Sequence, residues 1–132
     1  MTIVGIRTDK PIAELYIVKD GTVVDTFQWE AHRQLAETIH RTIEKLLLKN
    51  DTRIGDVDGI VFYNSGASFT GIRIGATIAN AFAASLGIPV VGCGSKQWLS
   101  DGVTDIESGS IKLGKYIDPH YSAPVFITKP KK

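Results

Sequence analysis

Cysteine is almost absent from the chain, since only Cys93 occurs among its 132 residues. One thiol cannot form an internal disulfide, and no Cys-His spacing typical of a metal site accompanies it. An excess of one charge is also lacking, because fifteen Lys and Arg residues nearly balance fourteen Asp and Glu residues. A chain-wide attraction to nucleic acid or to an anionic membrane surface is therefore not expected. The scarcity of cysteine favours a reducing compartment, and we predict a cytoplasmic protein.

Long apolar runs are missing as well. No stretch approaches the roughly eighteen apolar residues of a membrane-spanning helix, and Arg7 interrupts the apolar start of the chain. We therefore expect neither a targeting segment nor a membrane partner. The chain does contain 43% hydrophobic residues, which is enough for one domain with a core of its own.

Hydrophobic patterning divides the first hundred residues into strands and helices. Short apolar runs predict strands, the second and third joined by a tight turn at Lys19-Asp20-Gly21. A 3.6-residue spacing predicts an amphipathic first helix, and Ser68 or Thr70 is a suitable cap for a second one. The predicted strands are 3–6, 13–18, 22–27, 59–63 and one beginning at 89, and the predicted helices are 31–49 and about 68–86.

The resulting order, βββαβαβ, places three antiparallel strands before two parallel ones. Helices that cross over a sheet to add parallel strands after such a meander are typical of half of a ribonuclease H-like or actin-like α/β fold. Beyond Cys93 we expect a short helix, a hairpin over 108–117 and an extended tail. We therefore predict a single lobe over 1–132, with a core over 1–100 and a tail over 101–132.

The second helix is apolar around an unusually wide arc. At about 100° per residue, its apolar positions cover roughly 220°, which is more than one sheet can bury. Either the first helix packs beside it and buries the excess, or the small residues let helices of another protein approach closely. We favour the partner surface. The small residues are Gly75, Ala79, Ala81 and Ala83, and the predicted solvent-facing residues are Arg73, Thr77, Asn80 and Ala84.

The loop before this helix matches the sequence motif of a phosphate-binding loop only in part. Its first six residues, beginning at Gly66, fit G-x-x-x-x-G-K-[ST], but Ile72 and Arg73 stand where Lys and Ser or Thr are required. Without that lysine and hydroxyl, the loop predicts a capped turn. We therefore expect no cofactor. The residues that come nearest to a cofactor-binding set are Thr8, Asp9, Ser65 and Gly66.

Carboxylates are missing where a nuclease of this fold would need them. The first strand ends in Arg7 and the fourth in Asn64, so no acids converge there to hold paired metals. Asp56 and Asp58 precede the fourth strand, and we interpret them as turn-forming residues. No catalytic residue and no metal ligand are predicted.

The histidines and the cysteine show no catalytic grouping either. His32 and His40 are two helical turns apart, which is too far to share a metal. His120 is interpreted as a surface residue. Cys93 has no nearby histidine and is predicted to be a buried structural thiol.

The segment over 65–95, SGASFTGIRIGATIANAFAASLGIPVVGCGS, resembles the central segment of the TsaB family, also called YeaZ. Members of that family carry a GPGSFTGLRIG-like loop and helix followed by an LGIPLVGVSS-like strand. The matched segment covers roughly a quarter of the chain. Agreement is densest at Ser68, Phe69, Thr70, Gly71, Arg73, Ile74 and Gly75, and then over 86–91.

The resemblance implies an actin-like fold and a role in making threonylcarbamoyladenosine in tRNAs that read ANN codons. TsaB-like proteins act as platforms for a catalytic paralogue, TsaD, and work with the ATPase TsaE. A non-catalytic scaffold is therefore expected, which forms a homodimer alone, binds a TsaD-like partner and reaches tRNA indirectly. Because helices one and two form a bundle with a second copy or with TsaD in that family, the candidate interface positions are Leu35, Ile39, Leu46, Ile74, Ile78 and Ala81.

Three departures from the family pattern limit what is carried over. Arg7 replaces the acid of an IDTS-like phosphate motif, and Ser65-Gly66-Ala67 stands where the family has Gly-Pro-Gly. In addition, Ser95 and Leu99 stand where the catalytic paralogue TsaD has a metal-binding His-x-x-x-His, so the chemistry of that enzyme is not expected. The chain is also short, although APVFITKPKK over 123–132 resembles the family's closing segment, so we expect an internal deletion of the second lobe. A small actin-like nucleotide-binding or hydrolytic domain is the alternative function, and a ribonuclease H-like nuclease is disfavoured.

Overall fold

The computed structural model describes residues 1–31, 34–65 and 69–118. Five strands of the described residues form one mixed sheet: β1 (Thr2–Arg7), β2 (Ile12–Lys19), β3 (Thr22–Glu30), β4 (Gly59–Tyr63) and β5 (Val90–Cys93). Their order in the sheet is β3-β2-β1-β4-β5. Helices α1 (Leu35–Lys49) and α2 (Phe69–Leu86) cover one face of the sheet, and helix α3 (Trp98–Glu107) covers the other. The predicted α/β class and the order βββαβαβ are confirmed. Within the described ranges, no helix is long and apolar enough to cross a membrane.

The antiparallel part consists of β1 (Thr2–Arg7), β2 (Ile12–Lys19) and β3 (Thr22–Glu30). Asp20 and Gly21 adopt positive φ angles of 51° and 80°, as a tight two-residue hairpin requires. The register between β2 and β3 shifts at Ile17 and Val18, so β3 has one extra residue at this point and contains a β-bulge. Among the described residues, β3 pairs with β2 alone, so no described strand covers its other edge.

Helix α1 (Leu35–Lys49) begins four residues later than the periodicity predicts. The amide of Ala31 donates a hydrogen bond to the carbonyl of Pro11 at 3.0 Å, which extends the sheet ladder beyond β3. Ala31 therefore belongs to the strand side of the connection. The buried residues of α1 repeat at helical spacing and face the sheet: Leu35, Ile39, Ile43, Leu46 and Leu47.

Strands β4 (Gly59–Tyr63) and β5 (Val90–Cys93) extend the sheet in parallel, and α2 (Phe69–Leu86) connects them. Helix α2 lies very close to the sheet at Gly75. A Cβ atom at this position would lie 2.7 Å from Cε1 of Phe62 and still closer to Oγ1 of Thr8. The absence of a side chain at Gly75 is therefore what allows α2 to rest on β1 and β4.

Helix α3 (Trp98–Glu107) packs on the face of the sheet opposite to α1 and α2. It extends past residue 100, where the core was predicted to end and the tail to begin. Its buried residues Trp98, Val103 and Ile106 form a second, smaller core with Ile3 and Val61. Residues 101–107 are thus part of the packed structure. The organisation of the whole chain as one lobe remains a prediction.

The segment after α3 forms no strand through residue 118, so the hairpin expected over 108–117 is wrong. Ile111 packs against the smaller core, and Ile117 is buried in the larger one. The segment 108–118 therefore passes from one face of the sheet to the other, beside the edge strand β5. The predicted extended tail and the expected internal deletion concern residues outside the described ranges.

We expect Gly75→Ala to destabilise the protein by about 1–3 kcal/mol, because overpacking costs more than the added helix propensity returns. Thr8 and Phe62 are fully buried and cannot move aside cheaply. Urea denaturation monitored by circular dichroism measures the change. Gly55→Ala is the matched control, since a Cβ there meets nothing within 4 Å. Equal stability of the two variants would contradict the close approach.

Candidate functional site

The carboxyl edge of the sheet is where this topology gathers side chains from neighbouring strands, and Arg7 lies at its centre. Nε and Nη2 of Arg7 donate to the carboxylate oxygens of Asp9 at 2.8 and 3.3 Å. The guanidinium carbon also lies 4.1 Å from the centre of the Tyr63 ring. The hydrogen bond to Asp9 raises the pKa of Arg7 further above its ordinary value. A paired cation thus occupies the place where a metal site would need an acid.

Next to this pair, Trp98 is the shared ring of a small aromatic cluster. The ring of Tyr16 meets it edge to face at 5.6 Å, and the hydroxyl of Tyr16 donates a hydrogen bond to Glu14. The ring of Tyr63 also meets Trp98 edge to face at 5.6 Å. The two tyrosines therefore hold Trp98, and with it α3, against the sheet. Sequence reasoning missed this cluster. The one available signal was the alternation along β1, which puts Arg7 on the same face of the sheet as Ile3 and Gly5.

Thr8 and Asp9, two of the candidate cofactor residues, have structural partners. Thr8 is 1% exposed, and its Oγ1 donates to the carbonyl of Gly71 at 2.8 Å. Asp9 is 8% exposed and pairs with Arg7. Neither side chain is available to a phosphate in this arrangement.

The other two cofactor candidates lie at the loop before α2. Ser65 is partly buried, whereas Gly66 lies outside the described residues. The positions corresponding to a metal-binding His-x-x-x-His also have other roles. The hydroxyl of Ser95 donates to Asp101 at 2.8 Å, and the Leu99 side chain covers Gly5 so closely that a Cβ there would clash with it.

Of the two carboxylates before β4, Asp56 forms the predicted turn, whereas Asp58 instead bonds to the start of β1. Asp58 accepts a hydrogen bond from the amide of Thr2 at 2.7 Å. Asp56 accepts one from the amide of Arg53 at 3.1 Å, within a single 3₁₀ turn over Ile54–Asp56. In the part of the chain that the structure describes, no three His, Cys, Asp or Glu residues are grouped so that they could hold a metal.

Cys93 and His40 have different environments. Cys93 is only partly buried, in contrast to the predicted buried thiol, and burial still raises its pKa, which disfavours the reactive thiolate. His40 stacks on the Phe82 ring at 5.0 Å and lies 3.2 Å from a carboxylate oxygen of Glu44. His32 and His120 are outside the described ranges.

The candidate interface positions separate into two groups. Leu35 and Leu46 are 4% exposed and Ile39 is fully buried, because all three pack against the chain's own sheet. These three cannot present a surface to another protein. Ile74 and Ile78 are half-buried, and Ala81 is exposed, so they remain candidates.

Most small residues of α2 serve the chain's own packing. Gly75, Ala79 and Ala83 are buried against the sheet, which corrects the expectation that they permit the approach of a partner. Arg73, Thr77 and Ala84 are exposed as predicted, but Asn80 is not a free surface residue. Its side-chain amide donates to the carbonyl of Ile117 at 2.9 Å and accepts from the amide of Ile117 at 2.8 Å.

A shallow apolar groove remains between the outer surfaces of α1 and α2. It has a volume of about 300 Å³ and is lined by His40, Ile78, Ala81, Phe82 and Ser85. Helix α1 thus buries part of the wide apolar arc of α2 through the stacking of His40 on Phe82. Packing by α1 therefore accounts for part of the arc, and the partner surface stays a prediction for the part that includes Ile78 and Ala81.

A mixed sheet in the order β3-β2-β1-β4-β5, with two helices on one face and one on the other, defines the ribonuclease H-like and actin-like class of α/β proteins. The family model described as "TsaD: tRNA N6-adenosine threonylcarbamoyltransferase" matches residues 29–105, more than half of the chain. The chain belongs to this family, as a member of its TsaB (YeaZ) group.

Two curated relatives carry the name tRNA threonylcarbamoyladenosine biosynthesis protein TsaB. The Escherichia coli protein is 26% identical over 102 residues, which are 77% of this chain and 44% of that protein. The Bacillus subtilis protein is 27% identical in an alignment of 126 residues that covers 88% of this chain and 55% of that protein. The chain therefore spans about half the length of these relatives.

Solved structures agree on the fold. YeaZ from Pseudomonas aeruginosa superposes with a TM-score of 0.66 at 21% identity, covering 82% of this chain and 50% of that one. RuvC from T. thermophilus, solved in complex with a Holliday junction substrate, superposes with a TM-score of 0.51 at 15% identity, covering 92% and 86%. At such identities, the likeness shows the fold alone.

The environment of Tyr16 leads to a testable pH dependence. Burial, and then the hydrogen bond and charge of Glu14, raise the pKa of Tyr16 to about 12 from an ordinary value of 10.0. Because the folded state favours the neutral phenol, this stabilisation is complete below pH 10 and is lost as the pH rises towards 12. In a titration of phenolate absorbance, the component that Tyr16→Phe removes should be centred near pH 12. A midpoint near 10 would contradict the buried, hydrogen-bonded phenol.

Proposed function

We propose that the chain is a non-catalytic scaffold subunit in the threonylcarbamoyladenosine modification of tRNA. It dimerises through the outer surfaces of α1 and α2 and offers the same surface to a TsaD-like catalytic paralogue. A TsaE-like ATPase is a further partner, and the protein acts in the cytoplasm. The observation that carries this proposal is the apolar groove between α1 and α2, in a chain whose curated relatives are named for this pathway.

The chemistry of the groove supports a protein partner. Ile78 and Phe82 offer apolar area, and Ala81 has too small a side chain to obstruct an approaching helix. Aromatic residues such as Phe82 are enriched at protein interfaces, and the half-buried Ile78 adds apolar area beside it. Ile74 continues this strip one turn before Ile78 on the same helix.

The carboxyl edge of the sheet supports a non-catalytic role. Arg7 is paired with Asp9, and the hydroxyl of Thr8 is bonded to α2, so the side chains best placed to bind a nucleotide have other partners. The described acids do not converge on a metal site. The groove between α1 and α2, rather than this edge, therefore offers side chains that are free to contact a partner.

We expect the purified chain to be a homodimer and Ile78→Glu to make it a monomer. A carboxylate at this position would have to lose its water at the interface without a partner, which should weaken association at least tenfold, about 1.4 kcal/mol. Analytical ultracentrifugation at micromolar concentration measures the oligomeric state, and pull-down with TsaD from the same organism measures the second association.

Ala84→Glu is the control for this experiment, because Ala84 is exposed elsewhere on the same helix. It should leave both associations unchanged. Unfolding of Ile78→Glu, seen by circular dichroism, would instead assign Ile78 to the core. A wild-type monomer that does not bind TsaD would overturn the scaffold proposal.

The alternative, a small actin-like domain that binds or hydrolyses nucleotide, makes a different prediction. It would use Thr8, Asp9 and the loop over 65–71. We expect no binding heat from isothermal titration calorimetry with ATP and Mg²⁺ at 1 mM ligand, on the order of a physiological concentration. Saturable binding that Thr8→Val abolishes would favour the alternative.

A further inference from the structure

Charge is distributed unevenly along the chain, although the total is nearly balanced. Residues 112–132 contain five lysines and one acid, which gives a formal charge of +4. Residues 1–111 contain ten basic and thirteen acidic residues, which gives −3. The cationic character is therefore concentrated in the last part of the sequence and is hidden by the overall value of +1.

The structure places the first two of these lysines at the ends of one turn. The amide of Lys115 donates to the carbonyl of Lys112 at 3.4 Å, and Gly114 has a positive φ of 83°. In such a β-turn, the first and fourth Cα atoms are less than about 7 Å apart. Both lysines are exposed, and neither forms an ion pair with a described residue. The backbones of two exposed lysines, without an ion-pair partner among the described residues, are therefore close together in this turn.

The turn is held in place from its carboxyl side. Asn80 of α2 binds both the amide and the carbonyl of Ile117, whose side chain is buried in the larger core. Between this anchor and the turn lies Tyr116, which is 52% exposed. The anchor therefore presents two lysines and an aromatic ring to solvent.

We infer that Lys112, Lys115 and Tyr116 form a direct RNA-contact surface. The lysines contact neighbouring backbone phosphates, and the ring of Tyr116 stacks on an unpaired base. This inference deepens the proposed function, because it gives the scaffold its own contact with the RNA that is modified. The indirect access to tRNA expected from the family is then supplemented by a contact on this chain.

An acidic protein segment is the other polyanion that such a surface could bind. The exposed ring favours RNA, since stacking adds affinity for bases that an acidic peptide lacks.

Fluorescence anisotropy with a labelled anticodon stem-loop RNA tests the inference on the chain alone, without TsaD. In Lys112→Gln/Lys115→Gln, we expect about tenfold weaker binding at low salt and a salt dependence, log K against log[salt], that is shallower by about 1.5. In Tyr116→Ala, affinity should fall severalfold with the salt slope unchanged, and Tyr116→Phe should restore it.

Lys45→Gln/Lys96→Gln removes the same charge from two other exposed positions and should bind RNA like the wild type. The inference is overturned if both double variants weaken binding equally, if the chain does not bind RNA, or if polyglutamate binds as tightly as the RNA. Because Ile78→Glu is not expected to affect RNA binding, failure of the helical interface and failure of this surface are distinguishable.

Discussion

The close approach of α2 to the sheet at Gly75 is the constraint on which the rest of the structure depends. At this point Phe62 of β4 and Thr8, just after β1, both touch the helix, so the helix joins the antiparallel and parallel parts of the sheet. The bond from Thr8 to Gly71 fixes the start of α2 in the same contact. The outer surface of α2 and the position of Asn80 follow from this one placement. Because the hydroxyl of Thr8 donates its hydrogen bond to Gly71, it is not free to bind a nucleotide.

The elements of the fold were predictable because their signals are local. The spacing of apolar residues located all five strands and both long helices, and Asp20-Gly21 marked the hairpin. The start of α1 was misplaced because the bond from Ala31 to Pro11 joins residues far apart in the sequence. The hairpin expected over 108–117 is absent because that segment is held by Asn80 and by packing on both faces of the sheet.

The candidate sites were less predictable than the fold, and the reason is physical. Composition indicates that α2 is too apolar for one sheet, but only the packing distinguishes residues that face the sheet from those that face outward. Ala79 and Ala83 lie inward and Ala81 outward, although all three are alike in sequence. The sequence shows that Arg7 replaces an acid of the family's phosphate motif, and the structure pairs this arginine with Asp9. The stacking of Arg7 on Tyr63 could not be predicted without the strand order.

The β-bulge between β2 and β3 has a consequence for how the molecule behaves in concentrated solution. Strand β3 is nine residues long and exposes Val23, Val24 and Phe27 at 45–47%, beside an edge that no strand in the described part of the chain covers. Such an edge would template intermolecular strand pairing and fibril growth. The extra residue at the bulge increases the local twist and breaks the regular repeat of backbone donors and acceptors. The irregularity therefore disfavours aggregation through this border of the sheet.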